Sequence, residues 1–413
     1  MKRFRFAAAL LGVLGLNGVA NASNEPAAPA PPVVPGAIVW PMPTNPVLVP
    51  QSDAEKAAGQ QNGRPLPSPE LLQPDLDPSL RPYTPTPGVQ ADRAFRVGSS
   101  DVLPGLVEAW AEAFRKFHPG FSLTIDKPMA GSLGALELIK GNLDFVFVSR
   151  ELKPTDISGF RDKFGYEPFS VPISGGTWRH FGFLDSMAFM VHPENPIAKM
   201  SYAELDAVFS ATRHRGGKPV RTWGDLGLTG KWRNVPIHAY GIKPWNGFEE
   251  FIRQRVLSTE GKRGEWNTDV HFDPTFFNVA RRVAADKGAI GYTGLSAIDS
   301  QVKIVPISVD PSGPYLLPSY ENVALATYPL GRLVYLNANA KPGGGLDPAI
   351  REFLKFILSR DGQEVIRKQG IYLPLRSNQI AQSQAYLPLS PGEVGRERRK
   401  LHSFKANRGN STN

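Results

Sequence analysis

The sequence predicts an α/β protein whose mostly parallel sheets are flanked by helices. Two observations carry this. From residue 93 to about 377, strand-like and helical stretches alternate almost without a break, the order that builds helix-covered parallel sheets. Within that region LDFVFVS, residues 143–149, is a nearly continuous apolar run, as a parallel strand buried on both faces must be.

The elements follow in order. AFRV (94–97) reads as a strand, and LVEAWAEAFRKFH (106–118) as a helix, because Leu106, Trp110, Phe114 and Phe117 recur at helical spacing. FSLTID is a strand, SLGALELIKG a helix, LDFVFVS the buried strand, and FLDSMAFMVH a long strand. SYAELDAVF is a helix opened by Ser201 with Glu204 three residues on, a pair in which each side chain bonds the other's backbone N–H. NVPIHAY is a strand, WNGFEEFIRQRVL and FFNVARRVAAD are helices, and GAIGYT is a short strand. AIREFLKFILSRDGQEVIRKQG forms the last long helix or pair of helices.

The flanks differ in composition. Residues 1–22 carry Lys2, Arg3 and Arg5, an apolar stretch, then Ala20-Asn21-Ala22, the order of a cleavable secretory signal. The apolar part is shorter than a membrane span, so export to the periplasm or beyond is expected. The chain has no cysteine, which excludes disulfides and lipid attachment to an N-terminal cysteine. Residues 23–92 are proline-rich and read as an extended, disordered spacer. Residues 378–413 end in the basic run GRERRKLHSFKANR and read as a disordered tail. The formal net charge of +9 over 413 residues admits an anionic partner. The folded part lacks the aromatic and basic stripe of a nucleic-acid binder.

One stretch raises a chemical question. GSSDVLPG, residues 98–105, places Ser99, Ser100 and Asp101 between a strand and a helix. Such donors either cap the helix or, with its N–H groups, hold an anion. AGSLG (130–134) places Gly131 and Ser132 at a second helix start, one residue from the Gly-x-Ser-x-Gly elbow of serine hydrolases. A triad with His271 and Asp225 or Asp269 has no recognisable loop context, so no enzyme is expected. The histidines show no HExxH spacing, and His271-Phe272-Asp273 is too sparse for a metal site. No cofactor is expected.

GSSDVLPG, AGSLGALELIKGNLDFVFVSREL, HPENPIAKMSYAELDAVFSATR, RTWGDLGLTGKW, GAIGYTGLSAI and FLKFILSRDGQEVIRKQGIYLPL together resemble the periplasmic phosphate-binding proteins of ABC-type importers. The resemblance runs from about residue 94 to 376. It implies a two-lobed (type II) solute-binding fold whose chain crosses twice between lobes: 93–184 plus 298–377 for the first, 185–297 for the second. It also implies a monomer that holds phosphate or a related oxyanion between the lobes and signals to an inner-membrane permease. Carried over by motif, the ligand contacts are Ser99, Ser100, Asp101, Gly131, Ser132 and Ser149, with Arg150 beside them. Where the family has an arginine followed by Ser-Gly-Thr, this chain has Ile242, Lys243, Pro244, then Trp245, Asn246 and Gly247. Lys243, Asn246 and Gly247 complete the expected site, and the family's main cation is replaced by Ile242. The alternative is the same fold with a degenerate cleft, serving an envelope component or partner protein.

Overall fold

The computed structural model describes residues 76–387, apart from 104, 127–130, 181–182, 245–246, 260, 275, 299–300, 343–344 and 386. The leader, most of the spacer and the basic tail, expected from sequence, lie outside the described residues. Among the described residues no helix is long and apolar enough to cross a membrane.

In chain order come β1 (Ala94–Ser99), α1 (Leu106–Arg115), β2 (Ser122–Ile125), α2 (Gly131–Lys140), β3 (Phe145–Val148), α3 (Pro154–Phe164) and β4 (Phe169–Gly175). Then follow β5 (Met187–Val191), β6 (Met200–Ser201), α4 (Tyr202–Phe209), β7 (His238–Ile242), α5 (Gly247–Ile252) and a π turn at Arg253–Leu257. Next are β8 (His271–Asp273), α6 (Phe276–Ala285), β9 (Ala289–Gly294), β10 (Lys303–Ile304), β11 (Ile307–Ser308) and α7 (Tyr320–Ala324). The described part closes with β12 (Leu333–Ala338), α8 (Pro348–Ile357), α9 (Arg360–Gln369) and α10 (Ser377–Ala385).

Two five-stranded sheets result, in the orders β2-β1-β3-β12-β4 and β10-β5-β9-β7-β8. Each is mixed: β1 pairs in parallel with β2 and β3, and β7 with β8 and β9, while β12 and β5 run antiparallel to their neighbours. Alternation alone predicts more parallel pairing than this. The antiparallel strands, β12 and β5, are those entered directly from the segments that cross between sheets. The expected box at Ser201 forms, with Ser201 N–H on Glu204 Oε2 at 2.7 Å and Glu204 N–H on Ser201 Oγ at 3.3 Å.

Each sheet has its own core. Phe95, Trp110, Phe114, Phe121, Phe147 and Phe353 cluster around the first, and Phe189, Phe209, Trp223, Phe251 and Tyr292 around the second. Each such side chain contributes about 1.5–3 kcal/mol of burial. Val302, Val305, Ile307, Tyr320 and Val323 belong to the second core, although the lobe boundaries read from sequence give them to the first lobe. The crossing segments lie side by side: Gly176 N–H donates to Arg332 O at 2.7 Å, and Met187 N–H to Leu330 O at 3.1 Å.

Two stretches expected to be disordered are folded where described. Residues 76–92 place Leu80, Tyr83 and Ala91 in the first core. Tyr83 Oη donates to Glu352 Oε1 at 2.7 Å, and Thr86 N–H bonds the same oxygen at 2.8 Å. At the other end α10 buries Ile380, and Ser383 Oγ donates to Pro172 O at 2.8 Å. Proline content obscured the first because a few apolar side chains between prolines suffice to dock an extended strip.

Candidate functional site

The two sheets bring their strand ends together, and parallel strands β1 and β3 carry the first hydroxyls there. Ser99 pairs with Phe147, so β1 and β3 end level, and Ser100 N–H continues the ladder by donating to Phe147 O at 2.9 Å. Beyond these ends Ser100 Oγ and Ser149 Oγ stand 3.0 Å apart. Ser99 and Ser100 are buried. The N-cap of α1 is Gly105, at φ 74° and without a side-chain cap bond. Ser99 Oγ bonds the Ser100 carbonyl instead, and Ser100 Oγ faces Ser149 and, at 3.4 Å, Asp101 Oδ1. The serine hydroxyls therefore gather across two strand ends, where open α/β sheets present ligand crevices.

The register of β12 brings in a residue that sequence reasoning missed. Antiparallel pairing sets Tyr335 opposite Val148, so the chain just before β12 passes the loop after β3. Arg332 sits there, buried, with Nη2 at 3.4 Å from the Ser149 carbonyl. From the second sheet's side, a Cβ added to Gly247 would stand 3.8 Å from the same Nη2. The guanidinium lies 4.8 Å from the centre of the Phe248 ring and 5.5 Å from that of Phe251. Burial pushes its pKa down, offset by the charges of Asp185 and Glu151.

The loop after β3 supplies further charges. Arg150 is buried, and its Nη1 donates to Asp156 Oδ2 and to Glu151 O, both at 2.7 Å. Its Nη2 is buried and makes no hydrogen bond among the described residues. Glu151 Oε1 accepts from Arg255 Nη2 at 2.7 Å and from Tyr335 Oη at 2.9 Å. Gln254 Nε2 reaches Leu152 O at 3.3 Å. Burial, then the Arg150 charge, lowers the pKa of Lys153. On the outward crossing segment Asp185 is fully buried, and its carboxylate is pushed up to about 6 by burial, against the pull of Ser296 and Arg332.

Other expected positions fare differently. Gly131 opens α2, while the side chain of Ser132 and all of Asn246 and Trp245 lie outside what is described. Lys243 is exposed at the end of β7, its N–H on Asp273 O at 2.8 Å. Ile242 is fully buried in the second core. The nominal triad is not assembled: His271 lies on edge strand β8 with its ring tilted against that of Tyr240, Asp269 pairs with Arg221 and Asp225 bonds the Thr222 backbone, whereas Ser132 belongs to the first sheet's α2. Arg332 carries no motif signal, being a lone arginine after a Pro-Leu-Gly turn. Only the strand register discloses its position.

Comparison with known proteins gives four matches. Residues 85–361 match the PBP superfamily domain. The phosphate-binding protein PstS of Pseudomonas aeruginosa (strain PAO1) is 33% identical over 301 residues, covering 73% of this chain and 88% of that protein. Among solved structures, PstS from Borrelia burgdorferi covers 69% of this chain and 100% of its own at 16% identity and a TM-score of 0.45. An ABC-type phosphate transport receptor from Vibrio cholerae covers 68% and 99% at 16% identity and a TM-score of 0.44.

Proposed function

Since this chain belongs to the PBP superfamily, and within it to the PstS-like phosphate-binding proteins, we propose that it captures phosphate between its two sheet-centred lobes. It is a solute-binding protein, and its family is one of binding proteins rather than enzymes. The observation that carries the placing of the ligand is the convergence of Ser100 Oγ, Ser149 Oγ and the buried Arg332 guanidinium at the strand ends. Hydroxyls donate to oxyanion oxygens, and a guanidinium adds charge-assisted bonds of about 1.5–3 kcal/mol each. Ser99, Asp101, Gly131, Ser132 and Gly247 border the same cleft in this reading, and Arg150 lines it through Nη2.

The reading extends to the cell. The leader directs export to the periplasm, the proline-rich residues ahead of 76 hold the folded part away from a surface, and lobe closure presents phosphate to an ABC permease. The second lobe is taken to run on to Leu330, because the second core includes residues up to there. The fully buried Ile242, at the position of the family's arginine, favours a second reading in which the cleft serves an envelope or protein partner. Titration calorimetry of the full chain with phosphate, with sulfate as control, separates them. Saturable heat from phosphate at one site per chain is expected; no heat from phosphate contradicts the phosphate reading and favours the second.

A further inference from the structure

Resting on the phosphate reading, we infer that Arg332 supplies the ligand's counter-charge in place of the family's arginine, and that the cleft selects a singly charged oxyanion such as monobasic phosphate. Three observations lead there. Arg332 is buried, yet among the described residues no carboxylate stands within ion-pair distance of it, and the one hydrogen bond of its guanidinium is the long contact to the Ser149 carbonyl. A buried cation without a close partner is costly, so such a group marks a place where an anion is received. Nη2 of Arg150 is likewise buried and unbonded in the same loop region. The two serine hydroxyls adjoin Ser149, whose carbonyl Arg332 touches.

The charge of the ligand follows from what surrounds that guanidinium. Arg150 is neutralised by Asp156 at 2.7 Å, and Arg255 by Glu151 at 2.7 Å. The groups that act on Arg332 are Asp185, Glu151, Tyr335 and Arg150; the two carboxylates, Asp185 being ionised only above about 6, partly offset its positive charge at neutral pH and above, from both the crossing segment and the loop. Asp101, bonded by Ser100 Oγ at 3.4 Å, adds a carboxylate beside the hydroxyls. A doubly charged oxyanion would face this negative surround with one unpaired guanidinium. A singly charged one matches it, and one of the two protons of monobasic phosphate can be given in a hydrogen bond to Asp101. The Phe248 and Phe251 rings beside the guanidinium exclude water and hold its plane.

The test is calorimetry on the full chain with phosphate at about pH 5.5 and about pH 8, comparing wild type with Arg332→Gln and Arg332→Lys, each first shown to melt cooperatively. Wild type is expected to bind more tightly at the acid pH, Arg332→Gln to lose about 10- to 100-fold in affinity, and Arg332→Lys, which keeps the charge but not the planar fork, to recover part of the loss. Phosphate binding by wild type that Arg332→Gln leaves intact overturns the inference alone, as does tighter binding at the alkaline pH. If Arg332→Gln fails to fold, Arg332→Lys decides: an affinity equal to wild type overturns the guanidinium's role. Absence of phosphate binding by wild type overturns the phosphate reading itself and removes the premise.

Discussion

Glu151, in the loop after β3, and Arg255, in the π turn after α5, meet at 2.7 Å across the line between the two sheets. Tyr335 Oη joins the same carboxylate oxygen at 2.9 Å, and Gln254 adds a bond to Leu152 O. These contacts hold one lobe's loop against the other lobe's helix without passing through a ligand. Both side chains are partly exposed, so the pair contributes at most about 1 kcal/mol to stability. The same energy weighs more in the balance between open and closed lobes, because closed and open forms differ by only a few kcal/mol. Glu151→Gln is expected to leave the melting temperature nearly unchanged while raising the ligand-free radius of gyration in small-angle scattering. An unchanged radius would show that the bridge does not latch the lobes.

The serine pair makes a separable prediction. Ser100 and Ser149 meet only through their hydroxyls, and neither hydroxyl caps α1. Ser149→Ala is therefore expected to weaken phosphate binding by about tenfold or more with little change in thermal stability. Equal affinities for variant and wild type in calorimetry would remove Ser149 from the ligand contacts.

Asp185 gives the pH dependence of stability. Its carboxylate is fully buried and pushed up to about 6 from an ordinary 3.8 by desolvation, while Ser296 N–H and Oγ, at 3.0 and 2.7 Å, pull it down. An acid whose pKa is higher folded than unfolded binds protons better in the native state. Its contribution is full below the unfolded value and is lost as pH rises through the folded one. Between those values the effect is on the order of 3 kcal/mol. Asp185→Asn, which keeps an acceptor for Ser296, should flatten the urea midpoint over that window relative to wild type. Parallel curves for the two proteins would contradict the assignment.

Tyr83 tests the docking of residues 76–92. Its hydroxyl bonds Glu352 Oε1 at 2.7 Å and faces His118 Nε2 at 2.9 Å, and both Tyr83 and Glu352 are buried. Tyr83→Phe keeps the ring in the core but takes a donor from a buried carboxylate, so a loss of about 1–3 kcal/mol is expected. Chemical denaturation measures it, and an unchanged midpoint would mean that this strip adds little to the fold.

How much of this the sequence disclosed varies by the distance between partners. Helix α1 and strand β3 were legible because Leu106, Trp110 and Phe114, and the run Phe145–Val148, signal their burial locally. The Ser201–Glu204 box was legible for the same reason. Strands β4 and β12 went unread: Pro172 interrupts β4, and β12 pairs with strands more than 150 residues earlier in the chain. The site divides likewise. Ser99, Ser100 and Ser149 stood out as motif residues at strand ends, but Arg332, Glu151 and Arg255 carry no local pattern. Their meeting depends on the β12 register and on how the two sheets face each other.

The most direct test of the central claim is a crystal structure of the full chain grown with phosphate. The account predicts one phosphate ion between the sheets, its oxygens about 2.7–3.1 Å from the Ser149 hydroxyl and the Arg332 guanidinium. Phosphate bound elsewhere, or a cleft closed around Phe248 and Arg332 with no ion despite saturating phosphate, would contradict it.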